Sequence, residues 1–313
     1  TMLYSGGLRI ESTLDPNIQN IADEVCSDPD TYPENVKWYL SYDLTTKDAS
    51  GEYHNYSKEM MKKWFVENES RSFNLIFNSM DDAYAAIETS KAAIMSDGEE
   101  EIAENISMTP QPQISLVIMD QSNGHVVAIV GGRGAKEGSR TLNRATDSAR
   151  QPGSTFKVLS TYAPALDSCG YTLATTIEDS PFSYEDGTPV RNWWGNSYKG
   201  NVTVRKAIEQ SMNVVTVKTL ADITPQKGFE YLQRFRFSTL VDGNDPNYPG
   251  YSDIQLPTAL GGITRGVLNI DMTAAYAAIA NGGKYTEPVL YTQILDHDGN
   301  VLLDNTPDTE QIL

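Results

Sequence analysis

The chain is 313 residues long, 39% hydrophobic and 21% charged, with a formal net charge of −18. That length allows a sizeable core in one large domain or two smaller ones, and the acidic balance argues against nucleic acid or an anionic membrane surface as partner, since both select Lys/Arg-rich faces. No apolar run approaches the about 18 residues of a membrane-spanning helix; with neither a signal peptide nor an initiator Met, the chain reads as a segment of a longer protein.

Leu8-Arg9-Ile10 reads as a short strand, and Asp15-Pro16 as an N-cap with proline at the first helical position, opening a helix through Val25. Residues 27–110 differ in character. They hold 17 acidic and 7 basic residues, −10 of the total −18, with an acidic run at Glu99-Glu100-Glu101. Amphipathic patterns predict helices near 57–67 and 79–95, and the acidic residues read as a solvated face rather than a cation site. Apolar runs over 114–119 and 125–130 flank Asn123-Gly124 and predict a hairpin with a two-residue turn. Their continuous apolarity predicts a central sheet covered on both faces. Pro152-Gly153 then turns the chain into a helix from about Ser154 to Asp167, kinked or broken by Pro164. Val202-Thr203 caps a helix running to about Leu220, and Asp271 caps another that ends at Gly282-Gly283. A last hairpin over 291–303 turns at Asp298-Gly299. Helices alternating with antiparallel hairpins define an α+β layout.

The three histidines are scattered, and no CxxC, HExxH or Gly-rich phosphate loop occurs, so neither a metal nor a cofactor is expected. Cys26 and Cys169 read as separate thiols. Chemistry concentrates at Ser154-Thr155-Phe156-Lys157, an S-x-x-K entering a helix. Residues three apart on a helix share a face, so Lys157 can reach the Ser154 hydroxyl. A desolvated lysine of lowered pKa can take that proton without help from histidine. About one S-x-x-K is expected by chance in a chain of this length, so context decides, and the Pro-Gly turn into a helix is the context the chemistry needs. Ser211-Met212-Asn213 is an S-x-N on the later helix, offering a serine for proton relay and an amide for holding a substrate backbone. A second S-x-N, Ser72-Phe73-Asn74, lies in the acidic stretch and reads as chance. Trp193, Trp194 and Tyr198 are candidates to line a substrate groove, set against a plain packing role. Arg144 and Arg150 read as holding the loop before the nucleophile rather than meeting substrate.

The run from Arg150 to Lys157 resembles the nucleophile segment of class A penicillin-binding proteins. So do Gly6-Gly7-Leu8-Arg9-Ile10 with Thr13-Leu14-Asp15, Gly200-Asn201-Val202-Thr203-Val204-Arg205 leading to Ser211-Met212-Asn213, and Leu260-Gly261-Gly262-Ile263-Thr264 through Ala274-Ala275-Tyr276 to Asn281-Gly282-Gly283. The resemblance divides the chain into an opening transpeptidase segment at 1–26, an acidic, partly helical insertion at 27–110 and the main transpeptidase domain at 111–313. It implies an antiparallel sheet flanked by helices, with the final strands, a final helix and the third K-T-G motif lying beyond Leu313. It also implies acyl transfer on peptidoglycan stem peptides ending in D-Ala-D-Ala. Ser154 would be the acylated nucleophile, Lys157 its base, Ser211 a relay and Asn213 a substrate-orienting group. β-Lactams would acylate the same serine. The parent protein would be a membrane-anchored, extracytoplasmic bacterial enzyme with a glycosyltransferase domain before Thr1. Lacking one oxyanion-hole strand, the segment alone is expected to acylate poorly. A class A β-lactamase, a D,D-carboxypeptidase and a β-lactam sensor that does not cross-link share the same first motifs and stand as alternatives.

Overall fold

Strand β1 (Arg9–Ser12) leads into helix α1 (Pro16–Ser27). Asp15 Oδ1 accepts from the amides of Asn17 and Ile18 at 2.8 and 3.2 Å, so the Asp-Pro start works as the sequence predicts. The structure is a computed structural model describing residues 6–134, 138 and 140–313. Its backbone groups into two units: Thr1–Asp23, Ser115–Gly131 and Arg140–Leu313 form one, and Glu24–Ile114 with Gly132–Ser139 the other.

In the second unit β2 (Lys37–Lys47) buries every second residue, Leu40, Tyr42, Leu44 and Thr46, which is the strand period. Strands β3 (Tyr53–Ser57) and β4 (Ile76–Phe77) pair with one edge of β2, and β5 (Glu100–Gln111) runs along the other. Helices α2 (Lys58–Asn68) and α3 (Met80–Ile94) lie where the amphipathic patterns predict them. They set Met61, Phe65, Ala86 and Ile87 against Leu40, Tyr42 and Leu44 in one core. Phe73, the middle residue of the chance S-x-N, stacks on Phe65 at 4.3 Å in this core. The stretch thus holds a four-stranded sheet beside its two helices, and the sheet gave no signal in the sequence. Its longest strand escaped notice because Glu100–Gln111 is exposed from Glu100 to Asn105 and shows no apolar alternation.

In the first unit β6 (Leu116–Met119) pairs antiparallel with β7 (Val126–Val130). The two-residue turn expected at Asn123-Gly124 is instead a six-residue loop organised by Asp120. The Asp120 amide donates to His125 O and its carbonyl accepts from Gly124 N, both at 2.9 Å. Nor does this hairpin form the centre of a sheet covered on both faces: it is a two-stranded ladder whose β6 is half-buried, with Ile118 exposed. After α4 (Arg144–Asp147) the helix predicted over 154–167 comes in three pieces. A 3₁₀ turn (Gly153–Thr155) precedes a π-helical turn (Val158–Tyr162) and then α5 (Ala163–Ser168). Pro164 explains the middle piece, because it cannot donate to Ser160 O and the ladder widens there, with the Ala163 amide reaching Val158 O. Gly228 packs against the Ser160 carbonyl; a β-carbon on it would lie 2.6 Å from Ser160 O.

Strands β8 (Thr176–Asp179) and β11 (Gly200–Thr203) pair, with the short ladder of β9 (Phe182–Ser183) and β10 (Pro189–Val190) between them in sequence. The single helix predicted to Leu220 is two, α6 (Val204–Glu209) and α7 (Asn213–Ile223), followed by α8 (Pro225–Arg234). Helix α9 (Asn269–Ala280) starts two residues before Asp271, which therefore does not cap it; the Asp271 carboxylate accepts instead from the Ser238 amide and hydroxyl at 3.0 and 2.6 Å. The last predicted hairpin is present as β13 (Tyr291–Leu295) and β14 (Val301–Asp304), with Asp296 N donating to Asn300 O at 3.0 Å. β1 joins β13, placing Ile10 opposite Ile294, and β12 (Lys284–Thr286) pairs with β15 (Thr309–Gln311). Every ladder among the described residues is antiparallel, giving the expected α+β class. Phe156 and Leu159 enter a core with Leu232, Phe235 and Phe237 around α8 and Ala274, Ala275 and Ala278 of α9. Among the described residues no helix is long and apolar enough to cross a membrane.

Candidate active site

The segment carrying Ser154 is held from several directions. Arg150 and Val267 exchange backbone hydrogen bonds at 3.0 and 2.8 Å. The Gln151 carboxamide brackets Ile263, its Oε1 accepting from the Ile263 amide at 3.0 Å and its Nε2 donating to the Ile263 carbonyl. Gly261, in the left-handed region at φ +79°, lies against Gly153 so closely that a β-carbon would meet the Gly153 amide at 2.4 Å. Asp253 supports the clamping segment from within. Fully buried, it accepts from Thr264 N, Thr264 Oγ1 and Val241 N at 2.7–2.8 Å. On the far side of the turn Tyr276 OH donates to Thr155 O at 2.6 Å. Phe156, wholly buried and edge-on to Phe237 at 5.1 Å, pins the turn to the core. Ser154 and Thr155 are thus exposed while Phe156 and Lys157 point inward. Arg144 serves the same loop, its guanidinium donating to Gly131 O at 3.3 Å, in line with the loop-holding expectation.

Lys157 is 3% exposed and donates three hydrogen bonds, to Ser211 O at 2.6 Å, Ser211 Oγ at 2.9 Å and Asn213 Oδ1 at 2.6 Å. Burial pushes its ammonium down to about 8, and three acceptors of the charged form work against that push. Among the described residues it forms no ion pair. The helical spacing led to the expectation of a direct Lys157–Ser154 contact. Here all three donors go to the second motif, and no hydrogen bond joins Lys157 to Ser154.

Ser211 does not sit on a helix. It occupies the break between α6 and α7 at φ +48°. Met212 N bonds to Ala207 O at 2.9 Å and Ser211 N to Ile208 O at 3.1 Å. This is a Schellman stop, in which the left-handed residue is ordinarily glycine. A serine there is strained by about 1 kcal/mol, and the stop aims its carbonyl and hydroxyl together at Lys157. Met212, next in line, is fully buried and anchors the break. Asn213 has both ends of its amide engaged, Oδ1 by Lys157 and Nδ2 by Arg191 O at 2.8 Å. The structure thus brings Lys157, Ser211 and Asn213 into contact, with Ser154 one turn of chain away.

Trp193 and Trp194 form a ledge next to this break. Trp193 is 73% exposed yet fixed, its indole N–H donating to Gln210 O at 3.0 Å and its ring edge-on to Trp194 at 5.4 Å. Lys199 lies over the Trp194 ring at 4.2 Å, and Tyr198 is partly exposed. Sequence reasoning missed Gln151, Asp253, Tyr276 and Asn192, whose contacts span up to 121 residues of chain. Gln151 and Tyr276 stood inside the quoted motifs; Asp253 and Asn192 gave no local signal.

The profile described as "Penicillin binding protein transpeptidase domain" matches residues 114–312. Penicillin-binding protein 1A of Clostridium novyi (strain NT) is 30% identical over 315 residues, covering 96% of this chain and 34% of that protein. The 1A protein of Clostridium botulinum (strain Langeland) is 38% identical over 212 residues, covering 64% of this chain and 24% of that protein. Among solved structures, PonA1 of Mycobacterium tuberculosis, determined in complex with penicillin V, superposes with a TM-score of 0.61 at 18% identity over 100% of this chain and 61% of that one. Penicillin-binding protein 1A of Haemophilus influenzae gives 0.60 at 21%, over 98% of this chain and 48% of that one. The chain therefore belongs to the transpeptidase-domain family of class A penicillin-binding proteins. It spans only 24–34% of the length of these two clostridial relatives.

Proposed function

We propose that this chain carries the acyl-transfer step of peptidoglycan cross-linking, with Ser154 as nucleophile. In its neutral form Lys157 takes the Ser154 hydroxyl proton as Oγ bonds to the carbonyl carbon of the penultimate D-Ala of a stem peptide. The peptide C–N bond breaks and the leaving D-Ala amine receives a proton from Lys157 through Ser211 Oγ. The amine of a neighbouring stem peptide then attacks the ester, gives up a proton along the same relay and regenerates the Ser154 hydroxyl. Asn213 orients the substrate backbone, and Trp193, Trp194 and Tyr198 line the groove. β-Lactams enter the first half of this cycle and stop at the acyl-enzyme.

The observation that carries this reading is a buried lysine bound at once to the hydroxyl and the amide of an S-x-N, 54 and 56 residues along the chain. A surface capping serine with a solvated lysine would show neither the burial nor the convergence. The family adds the rest of the reading: an insertion at 27–110 in a transpeptidase domain, and a parent protein anchored in the membrane, facing the cell wall and carrying a glycosyltransferase domain.

The test uses the full-length protein with a penicillin. Intact-mass analysis is expected to show one covalent adduct in the wild type and none in Ser154→Ala. An unmodified wild type, or an adduct that survives Ser154→Ala, would overturn the reading. Product analysis with a stem-peptide donor and an amine acceptor separates transfer to amine from transfer to water.

A further inference from the structure

Helix α7 begins without a cap of its own. The residue at its cap position, Met212, is apolar and fully buried, because the break at Ser211 commits it to the core. The first amides of α7 still need an acceptor. They find it 21 residues upstream, where Asn192 Oδ1 accepts from Asn213 N at 2.9 Å and, 22 residues apart, from Val214 N at 3.2 Å. Asn192 Nδ2 donates to Asp179 Oδ1 at 2.9 Å, and Asp179 Oδ2 accepts from Lys199 N at 2.9 Å. Asn192 is 4% exposed and Asp179 1%, so every polar atom of this pair works in a dry environment.

The two neighbours of Asn192 grip the same segment. Arg191 O accepts from Asn213 Nδ2 at 2.8 Å, and Trp193 Nε1 donates to Gln210 O at 3.0 Å. The turn at 191–193 therefore holds residues 210, 213 and 214, on both sides of Ser211. Two backbone donors demand an oxygen from Asn192, and a carboxylate on its other side demands the NH₂. Asp179 thereby fixes which way the Asn192 amide faces.

We propose that Asn192, oriented by Asp179, is a positioning residue that sets the start of α7 and with it the places of Ser211 Oγ and Asn213 Oδ1 against Lys157. It touches none of the reacting atoms. Supporting shells of this kind decide whether a reactive constellation is held to within a fraction of an ångström. The kinetic half of its test rests on the acylation chemistry proposed above.

The arrangement can be inverted without losing a hydrogen bond. In an Asp179→Asn/Asn192→Asp double variant, the carboxylate at 192 accepts from both α7 amides and from the new amide at 179, whose oxygen accepts from Lys199 N. Each single variant lacks this match. Asn192→Asp sets two carboxylates face to face, and Asp179→Asn leaves two amides free to turn.

The experiment takes the full-length wild type, both single variants and the double. It measures the rate constant of acylation by a fluorescent penicillin, the non-covalent affinity that precedes it, and hydrogen exchange at the amides of Asn213 and Val214. The single variants are expected to slow acylation by roughly 10- to 100-fold at little-changed affinity and to speed exchange at those two amides. The double variant is expected to restore both, the rate to within about threefold of wild type. Single variants that acylate and exchange like wild type would overturn the proposal. So would a double variant that regains thermal stability and exchange protection but not rate. If the wild type forms no adduct at all, the acyl-transfer reading falls; exchange at Asn213 and Val214 then decides the positioning claim alone, which fails if the double variant does not regain protection.

Discussion

A β-carbon placed on Gly261 would lie 2.4 Å from the amide nitrogen of Gly153 and 2.5 Å from its carbonyl oxygen. Two backbones are thus pressed together one residue before the nucleophile, and Gly261 is also held at φ +79°. Gly261→Ala should cost about 3 kcal/mol, summing left-handed strain and overpacking, as read by denaturant unfolding. Because the displaced backbone leads directly into Ser154, its penicillin acylation should fall further than in a variant of comparable stability loss placed elsewhere in the core.

Gly228→Ala supplies that comparison. Its new methyl would meet Ser160 O at 2.6 Å and a Leu220 methyl at 2.7 Å, away from Ser154. A loss of about 2 kcal/mol is expected, with acylation of the folded fraction close to wild type. A normal unfolding midpoint for this variant would show that α8 can retreat from the Ser160 carbonyl.

Lys157 gives the pH dependence a sign. Its ordinary value is 10.5 and burial pushes it down to about 8. The neutral amine is the proton acceptor, so the acylation rate should climb through about pH 8 and level off above it. Stability moves the same way. Between about 8 and 10.5 the unfolded chain holds more proton on this lysine than the folded one does, so its contribution to stability rises with pH across that window and is flat below it. Comparing the wild type with Lys157→Met over pH 6.5–10.5 isolates both effects; equal slopes would refute the assignment.

Ser211 separates backbone from hydroxyl. Ser211→Ala and Ser211→Gly both delete the Oγ that accepts from Lys157, and both should lose acylation by about 100-fold. Only glycine relieves the strain at φ +48°. Ser211→Gly should therefore be more stable than Ser211→Ala by about 1 kcal/mol in thermal unfolding. Equal stabilities would mean that the serine sits there without strain.

What the sequence discloses divides by range. Asp15-Pro16, the amphipathic helices near 57–67 and 79–95, and the hairpin at Asp298-Gly299 are legible because cap, proline and turn chemistry and helical periodicity all act within a few residues. The break at Ser211 is not, because Val202 to Leu220 keeps a helical pattern straight through it; nothing local announces a Schellman stop that uses serine in place of glycine. The strand Glu100–Gln111 was hidden by its acidity, and the pairing of β1 with β13 joins segments nearly 300 residues apart. At the site, Ser154, Lys157, Ser211 and Asn213 could be proposed from motif spacing. Asn192, Asp179, Asp253 and the glycine contact at Gly261 could not, because each matters through a partner the chain brings near only by folding.

The acceptors around Lys157 are a carbonyl, a hydroxyl and an amide oxygen, all uncharged. A buried lysine matched with a carboxylate leaves an isolated anion behind whenever it releases its proton, and that expense holds the proton in place. Here release strands no anion; it leaves only one neutral oxygen short of a donor. The cluster alternates between one positive charge and none, and never turns negative, although the chain as a whole carries −18. An incoming carboxylate thus meets a pole that attracts it or ignores it, at every stage of the proton's travel.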